Sequence, residues 1–182
     1  MTKKELIVQK AIELFARDGF EATSIQKLAE ASGVAQGLLY RHFKNKHDLL
    51  LHLVRMGVTQ IAATLQPYHN PDLNFHEAFK EHVQRCCQLM QSEFLLWKVL
   101  HMTRQNTTLM NTLSLSGDPA QLIVKPIRDK LRREGCKNAD MHAWMIFSLI
   151  DGVTSLYLVH PDQYPLRKME KFIIEKISEY AC

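Results

Sequence analysis

The sequence has little glycine, proline and cysteine. Its 182 residues include seven glycines, six prolines and four cysteines. The low glycine content excludes a collagen-like chain, and 46% hydrophobic with 23% charged residues exclude an intrinsically disordered one. Leucine, a good helix former, occurs 24 times, whereas the β-branched valine occurs nine times. Composition therefore favours an all-α protein of one or two domains.

Targeting and membrane signals are also lacking. The N-terminus runs directly into charged residues, without the apolar segment of a signal peptide. The most apolar stretch, 143–159, contains Asp151, so we expect no membrane span. No Cys-x-x-Cys pair or disulfide-like spacing occurs among the cysteines, which predicts a reducing, cytoplasmic setting; these are Cys86, Cys87, Cys136 and Cys182.

Catalytic motifs are missing as well. The sequence contains no GxSxG, HExxH, P-loop or GxGxxG motif, and no paired carboxylates beyond those of ordinary helix surfaces. We therefore expect no enzymatic activity, no cofactor and no metal centre.

Positive charge is concentrated in one short window. The net charge is only +4, but residues 33–55 hold four basic residues against one acidic residue. The remainder of the chain is close to neutral. This window is either a solvated face or a surface that binds an acidic partner such as nucleic acid.

Apolar periodicity predicts four helices in the N-terminal part. The first ends at Gly19, the second spans Ile25–Ala31, the third spans 35–43, and the fourth begins at Lys46 after a cap at Asn45. The second and third helices are joined by a short turn that contains glycine. Two helices joined in this way have the form of a helix-turn-helix.

Longer helical patterns occupy the C-terminal part. Pro126 is expected to kink or split one of them, and residues 106–117 show no clear pattern. The predicted helices are Phe75–Ser92, 94–104, 119–134, Ala139–Val159 and Leu166–Tyr180. The helix Ala139–Val159 is apolar on nearly every side, so either a monomeric core or a second subunit has to cover it.

Residues 20–50 carry a motif with many fixed positions, which are Thr23, Leu28, Ala29, Gly33, Val34, Gly37, Tyr40, His42, Phe43, Lys46 and Leu49. At these positions the run resembles the DNA-binding domain of the TetR family of transcriptional repressors. The resemblance covers about 3–55, and the rest fits only in length and helix order. It implies an all-α protein with a helix-turn-helix domain at 1–47 and a helical ligand-binding and dimerisation domain at 48–182.

The third helix would then enter the major groove of duplex DNA. Gln36 offers an amide to adenine or contacts phosphate, and Gly37 allows a close approach to the duplex. Leu38 is placed to contact a thymine methyl group. Arg41 faces either bases or backbone.

Other residues of the motif are expected to bind the DNA backbone. Tyr40 and His42 would donate hydrogen bonds to phosphates, and Lys46 would add its ammonium group. By resemblance, Thr23 and Ser24 would hold a further phosphate.

One position departs from the family's pattern. The family most often has Ser or Thr as the N-cap of the recognition helix, where this chain has Ala35, which cannot cap. Ser32 is the nearest alternative cap. We expect a slightly less stable third helix that still binds DNA.

The leading prediction is a ligand-responsive regulator, in most cases a repressor. It would bind a palindromic double-stranded operator as a homodimer through its last two helices, and a small apolar or amphipathic effector would release it by shifting the fourth helix. Candidate effector-binding residues are the large, soft side chains Met90, Phe94, Trp97, Met102, Trp144 and Phe147.

Two alternatives remain open at this point. His82 and Cys86, one helical turn apart, could share a metal with Cys87 nearby, or the cysteines could sense oxidation. Alternatively, the chain is a helical interaction module without an effector.

Overall fold

The computed structural model describes residues 1–106, 108–109 and 119–180, and these residues form helices and no strand. The all-α prediction is confirmed. Most of the stretch 106–117 lies outside the described residues. In chain order the helices are α1 (Lys3–Asp18), α2 (Ile25–Ala31), α3 (Gln36–His42), α4 (Lys46–Thr64), a 3-10 helix (Gln66–His69), α5 (Phe75–Ser92), α6 (Phe94–Gln105), α7 (Pro119–Arg133), α8 (Ala139–Val159) and α9 (Leu166–Tyr180).

The chain packs as two compact units. The first unit comprises Met1–Val58 and the described residues from Glu93 to Leu109. The second unit comprises Thr59–Ser92 and the described residues from Pro119 onward. Helix α4 therefore has residues in both units. The units divide the chain by packing, and the functional boundary after residue 47 stays a prediction.

Helix α1 is fixed at both ends by local hydrogen bonds. Thr2 Oγ1 accepts from the Glu5 backbone N–H at 3.2 Å, and Glu5 Oε2 accepts from the Thr2 backbone N–H at 2.7 Å. This reciprocal pair is a capping box, which satisfies amides that the helix itself leaves unpaired. The helix ends at Gly19, whose φ of 85° is in the region that favours glycine.

The core of the first unit is built on α1. Ile7, Ala11 and Phe15 are fully buried on one stripe of this helix, and α6 packs against it. Leucines of α2, α3 and α4 complete the same cluster, and burial of each contributes roughly 1.5–3 kcal/mol; they include Leu28, Leu39, Leu49, Leu50 and Leu53.

The second unit has its own core. Helix α5 packs against α9 and the 3-10 helix, and α7 packs against α8. Tyr68 and Phe79 are fully buried at its centre. Ile173 and Ile177 of α9 belong to this core, so the apolar stripe of that helix faces its own unit.

Helix α7 is continuous through Pro126, so the predicted split does not occur. Its buried residues Val124, Ile127 and Leu131 lie one turn apart and pack into the second core. The burial of this face offsets the free-energy cost of the hydrogen bond that the proline cannot donate. Arg133 of the same helix donates to the Tyr68 carbonyl at 2.8 Å and ties α7 to the 3-10 helix.

Helix α8 leaves an apolar surface uncovered within the protomer. Ala143, Ile146 and Val153 are buried against the second core, whereas Met141 is 72% exposed and Leu156 is 51% exposed. Among the described residues, α8 is the one helix whose length and mean hydropathy of 1.3 would allow it to cross a membrane. By composition alone, a soluble core helix meets the same criterion.

Candidate nucleic-acid interface

The turn between α2 and α3 is built as the helix-turn-helix pattern predicts. Gly33 has a φ of 58°, which favours glycine, and the Val34 backbone N–H donates to the Ala29 carbonyl at 3.0 Å. Ser32 is buried and its hydroxyl donates to the Leu28 carbonyl at 2.7 Å. It therefore does not cap α3, contrary to the suggested alternative, and Ala35 provides no side-chain cap either.

Helix α3 has one buried side and one exposed side. Leu39 and the adjoining Phe43 are 0% and 3% exposed and anchor the helix in the first core. The opposite side presents Gln36, Gly37 and Tyr40 to solvent. Residues at these spacings share one face of a helix, so the structure provides a continuous polar surface on α3.

Gly37 lies at the most open point of that surface. A Cβ atom placed on this residue would meet no atom within 4 Å, and φ is not positive. Neither local packing nor backbone conformation therefore requires glycine at this position. The missing side chain leaves room for another molecule to approach the helix.

Hydrogen-bond donors surround the exposed face of α3. Tyr40 is 51% exposed, and Arg41 and His42 are also exposed. Leu38 is half-buried beside them. Ser24 is exposed at the start of α2, where its Oγ accepts from the Lys27 backbone N–H at 3.1 Å. The Ser24 hydroxyl hydrogen remains available to an acceptor such as a phosphate oxygen.

Thr23 does not fit its predicted role. Its side chain is 0% exposed, and its hydroxyl donates to the Gly19 carbonyl at 2.8 Å. The Thr23 backbone N–H also donates to the Phe20 carbonyl at 3.3 Å. Thr23 therefore closes the α1–α2 loop (residues 19–24), and its side chain is not available to a phosphate.

Lys46 is also engaged within the chain. Its Nζ donates to the Phe20 carbonyl at 2.8 Å and to the Glu21 carbonyl at 3.2 Å. The same ammonium lies 4.3 Å from the centre of the Phe20 ring, and the side chain is 18% exposed. Sequence spacing alone could not reveal this, because the partners lie 25 or 26 positions earlier in the chain.

Asp18, at the end of α1, forms ion pairs with the basic residues Arg17 and Lys27. Asp18 accepts from Arg17 Nε at 2.8 Å and from Lys27 Nζ at 2.7 Å. Hydrogen bonds from these two cations hold the pKa of the Asp18 carboxyl well below its usual range. Arg41 and Lys44, in contrast, are exposed.

The six predicted effector-binding residues are distributed over both units. Met90 is buried in the second core and Phe147 packs against it. Trp144 is exposed on the same unit, and the centroid of its ring is 5.8 Å from that of Phe147. Phe94, Trp97 and Met102 lie on α6 in the first unit. Trp97 Nε1 is buried and has no hydrogen-bond partner among the described residues.

Each unit contains a cavity that its own residues line. The cavity of the first unit measures about 260 Å³ and lies between α1, the α1–α2 loop and Met102 of α6. The second unit has an open cleft of about 410 Å³. Several polar residues line this cleft. They were not predicted, because polar residues on helices give no signal distinct from an ordinary surface; they are Gln60, Thr64, Arg85, Gln88 and Ser92.

His82 and the two adjacent cysteines lie in or near the second core. The His82 Nδ1 is 3.0 Å from the Tyr68 hydroxyl, and burial lowers the pKa of this imidazole to about 3. Cys86 is half-buried and Cys87 is buried, and both thiols are free. Burial raises the pKa of each thiol to about 12, which disfavours the reactive thiolate. Cys136 is buried in the second core.

Sequence comparison identifies the N-terminal part of the chain. Residues 7–53 match the family model for bacterial regulatory proteins of the tetR family. The HTH-type transcriptional regulator YerO of Bacillus subtilis is 51% identical over 49 residues, which are 27% of this chain and 17% of that protein. The fatty acid metabolism regulator protein of B. subtilis is 23% identical over 93% of this chain and 90% of its own length.

Structure comparison extends the likeness to the whole fold. FadR from B. subtilis, solved in complex with stearoyl-CoA, superposes with a TM-score of 0.76 at 22% identity. The superposition covers 94% of this chain and 95% of FadR. The matched N-terminal residues coincide with the helix-turn-helix described above. Residues 7–53 therefore form a helix-turn-helix domain of the tetR family of bacterial regulatory proteins, and the whole chain shares its fold with FadR.

Proposed function

We propose that the protein is a repressor that binds a palindromic operator as a homodimer and is released by an amphipathic effector. The exposed face of α3 is the observation that carries this proposal. It holds Gln36, Gly37, Tyr40 and Arg41 in solvent while Leu39 is buried beneath them. A helix presented in this way can enter the major groove without unfolding any part of the first core.

The exposed residues are assigned by their chemistry. Gln36 contacts a base edge or a phosphate, Leu38 a thymine methyl group, and Arg41 a base or the backbone. Ser24, Tyr40 and His42 donate hydrogen bonds to phosphates. These assignments retain the sequence predictions for the residues that the fold leaves accessible.

The proposed dimer forms through an apolar surface on the last two helices. We call this surface the α8–α9 apolar face, and a second copy of the chain would cover it. A surface of this kind is unusual on a monomer and typical of an obligate interface. It consists of Met141, Trp144, Met145, Leu156 and Val159 of α8 and Phe172 of α9.

The effector is proposed to be a fatty acyl thioester. Support comes from two comparisons that cover most of this chain, one with the fatty acid metabolism regulator protein and one with the stearoyl-CoA complex of FadR. The open cleft of the second unit offers neutral hydrogen-bonding side chains such as Gln60 and Gln88 to a polar head, and its Arg85 is paired with Glu81 at 2.9 Å. Met90 and Phe147, which belong to the same unit as this cleft, are the candidates for its apolar chain, and the roles of Phe94, Trp97, Met102 and Trp144 stay predictions.

DNA binding is tested by selecting duplexes from a random pool and measuring the Kd at several salt concentrations. We expect a palindromic duplex whose affinity falls steeply between about 50 and 200 mM salt, because binding releases counterions from the phosphates. Selection of a site without two-fold symmetry, or an affinity indifferent to salt, would contradict the proposal.

The effector is tested by adding stearoyl-CoA, free CoA or stearate to the protein–operator complex. Release by stearoyl-CoA but by neither free CoA nor stearate supports an acyl thioester, and equal release by stearate would replace it with a free fatty acid. Release by neither acyl compound would remove that assignment and leave the DNA-binding proposal intact.

The metal or redox alternative has less support, because the buried His82 is already hydrogen-bonded and both neighbouring thiols have raised pKa values.

A further inference from the structure

We propose that Arg133 of α7 is a positioning residue that couples α7 to the C-terminal end of α4, and through it couples the effector to operator binding. The inference rests on the proposed function, and it names a route by which the second unit acts on α4. Its basis is the way in which α7 holds the α4–α5 connection (residues 65–74), the segment that follows directly after α4.

Two basic side chains of α7 bind carbonyl oxygens of this connection. Arg133 Nη2 donates to the Tyr68 carbonyl at 2.8 Å. Lys130 Nζ donates to the Leu73 carbonyl and, at 3.5 Å, to the Asn70 carbonyl. All three acceptors are main-chain atoms, so these contacts fix the path of the chain and not the conformation of a side chain. Hydrogen bonds from charged donors are about twice as strong as those between neutral groups.

Glu134 completes the attachment at the start of α5. Its Oε2 accepts from the Phe75 backbone N–H at 3.1 Å, and its Oε1 lies 3.1 Å from Lys130 Nζ. Lys130 is only 5% exposed, and a buried ammonium group is costly unless it is paired and hydrogen-bonded. Replacing Lys130 or Glu134 would therefore disturb the second core itself. Arg133 is exposed and can be replaced without leaving a buried charge unpaired.

The connection is also held from the side of α5. The Tyr68 ring is fully buried, and its hydroxyl lies 3.0 Å from Nδ1 of His82 on α5. Thr64 and Leu65, at the junction with α4, are buried as well. Displacement of this end of α4 would therefore disturb contacts with both α5 and α7.

Helix α7 can receive a change from the second core. Its residues Val124, Ile127 and Leu131 are buried there, together with Met90, a candidate contact of the effector's apolar chain. An effector that changes the packing of this core would displace α7, and Arg133 would carry the displacement to the segment after α4. Contacts of this kind indicate where coupling can pass, and a measured change in coupling is needed to assign it to a residue.

The test compares Arg133→Met with Arg132→Met. Arg132 is the neighbouring exposed arginine of α7, and it binds Asp140 of α8 at 2.6 Å instead of the connection. Both changes remove one positive charge from the same turn of the helix. Three quantities are measured: hydrogen exchange of the Asn70 amide in the free protein, exchange of the Cys136 amide with and without a selected operator, and the ratio of the operator Kd with stearoyl-CoA to that without it.

For Arg133→Met we expect faster exchange of the Asn70 amide, because its hydrogen bond to the Pro67 carbonyl lies in the segment that loses its attachment. The Kd ratio should fall about 2- to 30-fold, the range by which residues along a coupling route change it. Because coupling is reciprocal, operator binding should change exchange of the Cys136 amide, just after α7, in the wild type but not in this variant. Arg132→Met should behave as the wild type in all three measurements.

Several results would overturn the proposal. A wild-type Kd ratio in Arg133→Met, or a wild-type response of the Cys136 amide to the operator, would show that Arg133 only stabilises the second unit. Unchanged exchange of the Asn70 amide would show that Arg133 does not hold the connection. If stearoyl-CoA has no effect on the wild type, the proposed effector is wrong, and the Cys136 measurement, which needs no effector, still decides the role of Arg133.

Discussion

The variant Gly37→Ala should raise the stability of the folded protein and lower its affinity for DNA. Glycine in a helix is less favourable than alanine by up to about 1 kcal/mol, and a Cβ at position 37 would meet no atom within 4 Å. The variant should therefore gain about 0.5–1 kcal/mol in free energy of unfolding. For a chain of this size the gain raises the Tm by roughly 1–4 °C.

The same methyl group should weaken operator binding. Gly37 lies on the face of α3 proposed to contact DNA, so the added atom would occupy space that the duplex needs. Overpacking by one methyl group costs about 1–3 kcal/mol in a close-packed contact. A loss of this size raises the Kd by roughly 5- to 150-fold. Calorimetry or urea unfolding measures the first effect, and fluorescence anisotropy with the selected operator measures the second.

Gly33→Ala is a matched control in the turn before α3. Its Cβ would also meet no atom within 4 Å, but its φ of 58° is unfavourable for alanine. This variant should lose about 1 kcal/mol or more of stability, so the two changes have opposite signs. Wild-type operator affinity in Gly37→Ala would refute the close approach of α3 to DNA. A destabilised Gly37→Ala would refute the open environment that the structure gives this residue.

Three further measurements test other parts of the molecule. Leu156→Glu or Phe172→Glu should yield monomers by light scattering and weaken operator binding, since both residues lie on the α8–α9 apolar face; a variant that stays dimeric would show that the interface lies elsewhere. The free energy of unfolding should fall by up to about 1.4 kcal/mol for each pH unit below pH 6.5. In this range His82 binds a proton in the unfolded state but stays neutral in the folded state, where its pKa is about 3. In urea titrations at pH 7.5 and 5.5, His82→Gln should lose less stability between the two pH values than the wild type does. An equal loss in both proteins would contradict this role of His82. Iodoacetamide should modify Cys86 and Cys87 in urea but hardly at all in the native protein, because burial raises the pKa of both thiols. Mass spectrometry measures the modification at each position. Rapid labelling of the native protein would support the redox alternative.

Local signals predicted the helices well. The prediction for α2, α5, α8 and α9 agrees with the structure at both ends, because caps and apolar periodicity are short-range properties. Asn45 caps α4 as predicted, with its Oδ1 accepting from the Asp48 backbone N–H at 2.8 Å. Helix α3 is one residue shorter at each end than predicted, because Ala35 and Phe43 are extended.

The predicted roles of single side chains were less accurate. Thr23 and Ser24 are neighbours with similar hydroxyl groups, but only Ser24 is exposed. Their difference arises from the tertiary position of the α1–α2 loop, and helical periodicity carries no information about a loop. The same limit explains Lys46, whose partners come from a distant part of the sequence.

The construction of α4 indicates how an effector could change DNA binding under the proposed function. Residues 59–64 of this helix belong to the second unit, whereas its first residue, Lys46, holds the α1–α2 loop in the first. Along a continuous helix, displacement at one end is transmitted to the other, and a ligand shifts the equilibrium only if it binds the two positions of the helix with different affinity. Gly57 lies so close to Leu100 of α6 that a Cβ there would clash with the Leu100 side chain. Displacement of α4 would therefore change its packing against Leu100 and, at its other end, the hydrogen bonds between Lys46 and the α1–α2 loop.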